Sequence, residues 1–138
     1  MRKFEFVTFV DNEGLELPKR QTGSSAGYDL FSIKDVTINP QEIVLIETGV
    51  KAMMPSDEAL FVFPRSSLAI KKGLMMPNGV GVVDSDYYGN PNNEGHILVP
   101  LYNIKNEVVT IQRGERIAQG IFMNYKKTID EKDTGIVR

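Results

Sequence analysis

The apolar residues of this chain come in short runs that end at turn residues, and no long stretch repeats with the 3.6-residue period of an amphipathic helix. The runs are Phe4 to Val10, Val36 to Ile38, Ile43 to Met54, Ala59 to Phe63, Ile97 to Tyr102, Val108 to Ile111 and Ile117 to Met123. Their β-branched and aromatic content, with Gly, Pro, Asn and Asp between them, predicts strands packed as an all-β sandwich or jelly roll. One short helix is expected at Ser66 to Lys72. Ser66 would cap its start, Lys71 and Lys72 suit its last turn, and Gly73 supplies a left-handed stop. With 138 residues there is material for one core, so 1–138 is read as a single domain. The charged segment 126–138 has few apolar anchors and is read as a flexible C-terminal tail.

Composition narrows the chemistry. Sixteen basic and eighteen acidic residues are interspersed, for a net charge of −2, which provides no global field to gather nucleic acid or an anionic membrane. Any phosphate site must therefore be local. The chain has no cysteine and one histidine, His96, which excludes thiolate nucleophiles, disulfides and multi-histidine metal cages. The missing cysteine fits a reducing cytoplasm. No run of about 18 apolar residues occurs, so no membrane-spanning helix is expected.

Four segments combine residues that can do chemistry. Arg65, Ser66 and Ser67 after Pro64 bring a guanidinium fork, two hydroxyls and the backbone N–H groups of a helix start together, as a phosphate requires. An ordinary strand end with a solvated arginine would look the same. Asn78 to Gly89, NGVGVVDSDYYG, reads as a hairpin whose glycines let a ligand approach the backbone; an aspartate there can take a proton from water, and a tyrosine ring can pack on a sugar or base. Aspartates bonding to their own backbone in a turn are the plainer alternative. In SAGYDLFS, Ser25 to Ser32, Asp29 sits in a strand and needs a partner if buried, with Arg65 and Arg116 as candidates. The last, GERIAQGIF, carries Arg116 and Gln119 from a Gly-Glu turn into a strand.

Taken in order, SAGYDLFS, PRSSLA, GVVDSDYYG and GERIAQGIF resemble the first four of the five motifs of the trimeric dUTP pyrophosphatases, over residues 25–122. The resemblance implies a distorted jelly roll of the β-clip type, assembled as a homotrimer whose sites are shared between subunits. It implies hydrolysis of dUTP to dUMP and pyrophosphate, which keeps uracil out of DNA and supplies dUMP for dTMP synthesis. Asp84 matches the aspartate that activates water for in-line attack on the α-phosphorus. Tyr87 matches the tyrosine that packs on the deoxyribose where a 2′-hydroxyl would collide. Asn78 and the backbone at Val82 and Val83 match the segment that reads the uracil edge, and Leu98 is taken as the base contact on the returning strand. Arg65, Ser66, Ser67 and Gln119 match the groups that hold the phosphates, with Asp29 and Arg116 supporting them from behind. The family's Mg2+ is held chiefly by triphosphate oxygens and water, so no protein metal ligand is assigned.

The chain departs from the family pattern in three places. Ser67 stands where the second motif usually has glycine. Residues 88–96 are longer than in compact members, and His96 within them is read as a surface histidine with no catalytic part. The fifth motif, a glycine-rich arm bearing an arginine that closes over the nucleotide, is represented at most by Arg138 as its first residue. Related possibilities are a dCTP deaminase, which shares an Arg-Ser-Ser segment but has a further arginine where this chain has Ala69 and Ile70, and a nucleotide-gated regulatory protein with a protein partner, as in some phage members.

Overall fold

The structure, a computed structural model, describes residues 1–132 and 134–138. Its strands are β1 (Lys3–Phe6), β2 (Tyr28–Phe31), β3 (Val36–Ile38), β4 (Ile43–Glu47), β5 (Val50–Met53), β6 (Glu58–Pro64), β7 (Leu74–Met75), β8 (Gly81–Asp84), β9 (Leu98–Asn103), β10 (Val109–Ile111) and β11 (Arg116–Asn124). The helix α1 (Ser66–Lys72) follows β6, and a 3-10 turn at Ser85–Tyr87 follows β8. Every ladder is antiparallel. The four-stranded sheet runs β2-β11-β6-β8, a three-stranded sheet runs β4-β9-β7, and β1-β5 and β3-β10 form two ribbons. This is the all-β, jelly-roll type of architecture that short apolar runs between turn residues specify.

One cluster of side chains joins the sheets. Leu30, Ile38, Ile46, Leu60, Leu101, Ile111 and Ile117 are all fully buried in it. Each contributes about 1.5–3 kcal/mol of transfer free energy on burial. Strand β11 is central to the largest sheet, pairing β2 through Arg116–Gly120 and β6 through Ala118–Asn124. At the start of β6, the bidentate contact from Arg2 to the buried Glu58 holds that carboxyl below the usual carboxylate range.

Several local expectations change once packing is seen. The run Ile43 to Met54 is two strands, because Thr48 and Gly49 turn the chain so that β4 ladders onto β9 and β5 onto β1. Strand β1 stops at Phe6, where β5 begins at Val50; beyond it the Thr8 backbone N–H donates to Glu94 instead of a ladder partner. The helix matches its expected limits and ends at Gly73, whose φ of 65° is the left-handed stop. Its N-cap, however, is Arg65 with no side-chain cap, so Ser66 begins the helix rather than capping it. The hairpin expected over Asn78 to Gly89 is not a laddered pair: β8 satisfies its backbone groups on the edge of β6, and the 3-10 turn and a loop intervene before β9. Strand β7, which the sequence reading passed over, pairs with the end of β9.

Asn103 shows how the loops are held. It is fully buried, and its Nδ2 donates to the carbonyls of Ile38 and Glu107 while its Oδ1 accepts from the Lys105 N–H. Truncating it strands buried backbone groups, which cost about 1–3 kcal/mol each when unpaired. An Asn103→Ala variant should therefore unfold at a lower urea midpoint with an unchanged m-value, a loss of at least about 2 kcal/mol.

Candidate active site

The residues that the sequence brought forward fall into two separate groups on one chain. The first is a polar cleft of about 440 Å³ where α1, β2 and β11 meet, lined by Arg65, Ser66, Ser67, Gln119, Arg116 and Asp29 and by Gln21 and the segment Ser25–Gly27. Strand register brings Gln119 opposite Asp29, and an irregularity between Arg116 and Ala118 re-aims Arg116. Asp29 is buried, and of its two candidate partners the structure selects Arg116, whose Nη1 lies 3.5 Å from Oδ2. Gln21 donates to the same oxygen at 2.5 Å. That residue was missed in the sequence, because a loop amide eight positions before its partner follows no period that could flag it. A buried carboxylate held in this way restrains the Arg116 side chain. Among the described residues the Arg65 side chain has no hydrogen-bond or ion-pair partner, and the Ser66 and Ser67 hydroxyls have none either, whereas Ser25 Oγ is bonded to Thr22.

The second group is a recess of about 250 Å³ between β8 and β9. Asn78, Gly81, Val82, Val83, Asp84, Tyr87, Leu98 and Arg138 line it, with Val62, Met76, Ile97 and Pro100 as its apolar floor and walls. Val82 is 58% exposed and Leu98 37%, so apolar side chains face an opening instead of the core. This volume lies below the range of drug-sized ligand sites, and it suits a nucleoside-sized group better than a complete triphosphate. Leu98 is on the recess despite β8 and β9 sharing no ladder. Arg138 donates from Nη2 to Asp84 at 2.5 Å and from Nε to Asp86 at 2.8 Å, and its guanidinium lies 5.9 Å from the centre of the Tyr87 ring. It thus meets the carboxylates beside the recess, not the groups of the polar cleft. Asp86, which the sequence reading left without a role, joins Asp84 in facing one cation.

His96 is not a surface residue. It is 4% exposed, stacks edge-on against Phe9 with ring centres 5.5 Å apart, and accepts a hydrogen bond at Nε2 from the Gly49 N–H at 2.9 Å. A lone histidine beside a loop rich in Asn and Gly reads as solvated, and only the fold over of β1 and the Thr48-Gly49 turn buries it. Burial lowers its pKa from the ordinary value, opposed in part by the Glu47 and Glu94 charges. It stands behind the recess and lines neither group.

The two groups share no lining residue. Asp84 pairs with Ala59 at one end of β6, while Arg65 follows Pro64 at the other. Six residues of extended strand put their backbones about 20 Å apart. An all-β domain with a narrow recess beside carboxylates, and a distant arginine-and-hydroxyl cleft, has the parts of a nucleotide-hydrolysing enzyme.

Comparison with known proteins agrees. The dUTPase family model matches residues 13–136. A deoxyuridine 5′-triphosphate nucleotidohydrolase of Lactococcus lactis is 49% identical over 125 residues, covering 91% of this chain and 83% of the relative. The crystal structure of a dUTPase from Streptococcus mutans superposes with a TM-score of 0.87 at 48% identity, over 91% of this chain and 97% of that one. A mutant dUTPase from phage phi11 of S. aureus, whose structure is described as revealing the coordination of a structural Mg(II) ion, has the same fold at 18% identity, with a TM-score of 0.78 over 99% of this chain and 98% of that one. The chain belongs to the dUTPase family.

Protonation of His96 would remove the acceptor that Gly49 uses, so the folded state resists it. Below the ordinary histidine value of about 6.5 the unfolded chain binds a proton that the folded chain refuses, and stability falls with pH until the lowered folded pKa is passed. The melting temperature should decline between about pH 7 and pH 5.5, and His96→Gln should flatten that decline; equal slopes in the two proteins would show that His96 is not its source.

Proposed function

We propose that this chain hydrolyses dUTP to dUMP and pyrophosphate, as one domain of a cytoplasmic homotrimer in which each site is built from two subunits. The observation that carries the reading is the division of the site: the recess holding Asp84 and the cleft holding Arg65 are each incomplete, and β6 keeps them apart. The α-, β- and γ-phosphates of one nucleotide are each only a bridging oxygen apart. With the backbones of Asp84 and Arg65 about 20 Å apart along β6, the cleft of a neighbouring copy would supply those contacts.

Each residue then has a task that follows from its chemistry. The outer edge of β8 around Val82 and Val83, on the side away from β6, offers donors and acceptors to the uracil edge together with the Asn78 amide, and a base held closely there would exclude a 5-methyl group. Leu98 packs against the base. Tyr87 covers the sugar, where a 2′-hydroxyl would meet its ring. Arg65, Ser66, Ser67 and Gln119 hold the phosphate oxygens, and Asp29 fixes Arg116 behind them. Asp84 accepts a proton from a water molecule as its oxygen bonds to the α-phosphorus; the bond from that phosphorus to the bridging oxygen breaks, and pyrophosphate departs with the electron pair. Arg138 lies on Asp84 and must yield its place, or shift onto the phosphates, when substrate and water enter.

The residues also fit a Mg2+ ion brought by the nucleotide. Asp84 and Asp86 already converge on a single cationic group, Arg138, and the phosphates with water would complete an oxygen shell. An ion that arrives with the nucleotide would keep the phosphate oxygens as its main ligands. Bound there, the ion would neutralise charge on the phosphate chain.

Pyrophosphate release measured with dUTP, dTTP, dCTP and UTP in the presence of magnesium should be confined to dUTP. Asp84→Asn should lower it by about 10²–10⁴-fold while dUTP still binds. Site sharing has its own test. Asp84→Asn and Arg65→Ala chains, inactive alone, should regain roughly a quarter of parental activity when unfolded and refolded together, because mixed trimers place an intact recess against an intact cleft. Absence of any recovery would show that each chain carries a complete site.

A further inference from the structure

The longer segment 88–96 is a tightly bonded support whose bonds converge on the hydroxyl of Tyr87. The Tyr87 ring lines the nucleoside recess, and its phenol points away from the opening into this loop. There the hydroxyl donates to the His96 carbonyl at 2.6 Å and accepts from Asn93 Nδ2 at 2.8 Å, so both of its roles are filled. Asn93 is itself held, its Oδ1 accepting from Asn90 Nδ2 at 2.8 Å and from the Gly95 N–H at 3.1 Å. Asn90 is buried and closes the loop. Its Nδ2 also donates to the Tyr87 carbonyl at 2.7 Å, and its Oδ1 accepts from the N–H groups of Asn92 and Asn93 at 3.0 and 3.1 Å.

The rest of the molecule holds this loop in place. Gly95 has a φ of 101°, and a Cβ there would sit 2.8 Å from the Tyr87 carbonyl oxygen, so only glycine allows the loop to lie against the tyrosine backbone. Glu94 accepts from the Thr8 N–H and hydroxyl and pairs with Lys51 at 3.1 Å. Tyr88 donates to Glu5. The neighbouring His96 ring is fixed by Gly49 and Phe9. A tyrosine bordering an open recess would otherwise swing about its side-chain torsions; two bonds at its far end hold the ring plane.

We propose that Asn93, held by Asn90, is a positioning residue that fixes the Tyr87 ring and thereby sets the preference for deoxyribonucleotide over ribonucleotide. The inference rests on the proposed hydrolysis of dUTP and deepens it: exclusion of a 2′-hydroxyl by contact needs a ring that cannot retreat, and an unanchored ring gives way to ribose.

The experiment is a cycle of Asn93→Ala, Tyr87→Phe and the double variant, with kcat and KM measured for dUTP and UTP and melting temperatures recorded alongside. Asn93→Ala should lower the dUTP-to-UTP ratio of kcat/KM about tenfold, with KM for dUTP moving more than kcat. Tyr87→Phe, which keeps the ring and removes the anchored hydroxyl, should lower the ratio by a similar factor, and the double variant by no more than either alone. Independent losses that multiply in the double variant, or a ratio within about twofold of the parent in Asn93→Ala, would overturn the positioning role. The parent enzyme separates this from the underlying reading: no preference for dUTP in the parent defeats the proposed function itself, whereas a parental preference that survives Asn93→Ala defeats the positioning role alone.

Discussion

The ladder that β6 makes with β11 on one edge and β8 on the other is what the rest of the molecule depends on. Glu58, Leu60 and Val62, alternate residues on one face of β6, are buried, so its register is set by the core and cannot slip without turning that face to solvent. Because the register is fixed, so are its two ends. Arg65 emerges with α1 at one, and Asp84 is held opposite Ala59 at the other. The same constraint that stabilises the sheet separates the polar cleft around Arg65 from the recess beside Asp84.

Around that spine, buried polar groups do the work that regular secondary structure does elsewhere. Asn103 collects backbone groups near the end of β9, the buried Asn90 organises the loop before it together with the half-buried Asn93, and His96 accepts the Gly49 N–H at the turn between β4 and β5. No buried side-chain nitrogen or oxygen among the described residues lacks a partner. Such groups are costly if unpaired, so each one restricts the chain to the conformations that pair it. A sandwich of strands as short as these gains its definition from those bonds as much as from apolar burial.

Much of the fold was legible because strand and helix signals are local. The runs Val36 to Ile38, Ala59 to Phe63 and Ile117 to Met123 became β3, β6 and β11 with small changes at their ends, and Gly73 ended α1 as its lack of a Cβ allows. The break in Ile43 to Met54 was not legible, since Thr48-Gly49 turns only because two different partner strands claim the halves. Burial of His96 was likewise invisible: the residues that cover it, Phe9 and Gly49, are distant in the chain. The residues expected to contact the base and sugar lie around one recess and those expected to hold phosphate around one cleft, a division that no local period or turn signal marks.

The sequence by itself determined the class of fold and the family, because hydrophobic period, turn chemistry and ordered motifs are properties of neighbouring residues. Tertiary structure alone decided which arginine pairs with Asp29, that Gln21 joins them, that Asp86 and Asp84 meet the same guanidinium, and that the Asn-rich loop braces Tyr87. Those outcomes depend on which backbones pack side by side, and packing is settled by the free energy of the whole core, not by any short stretch of chain.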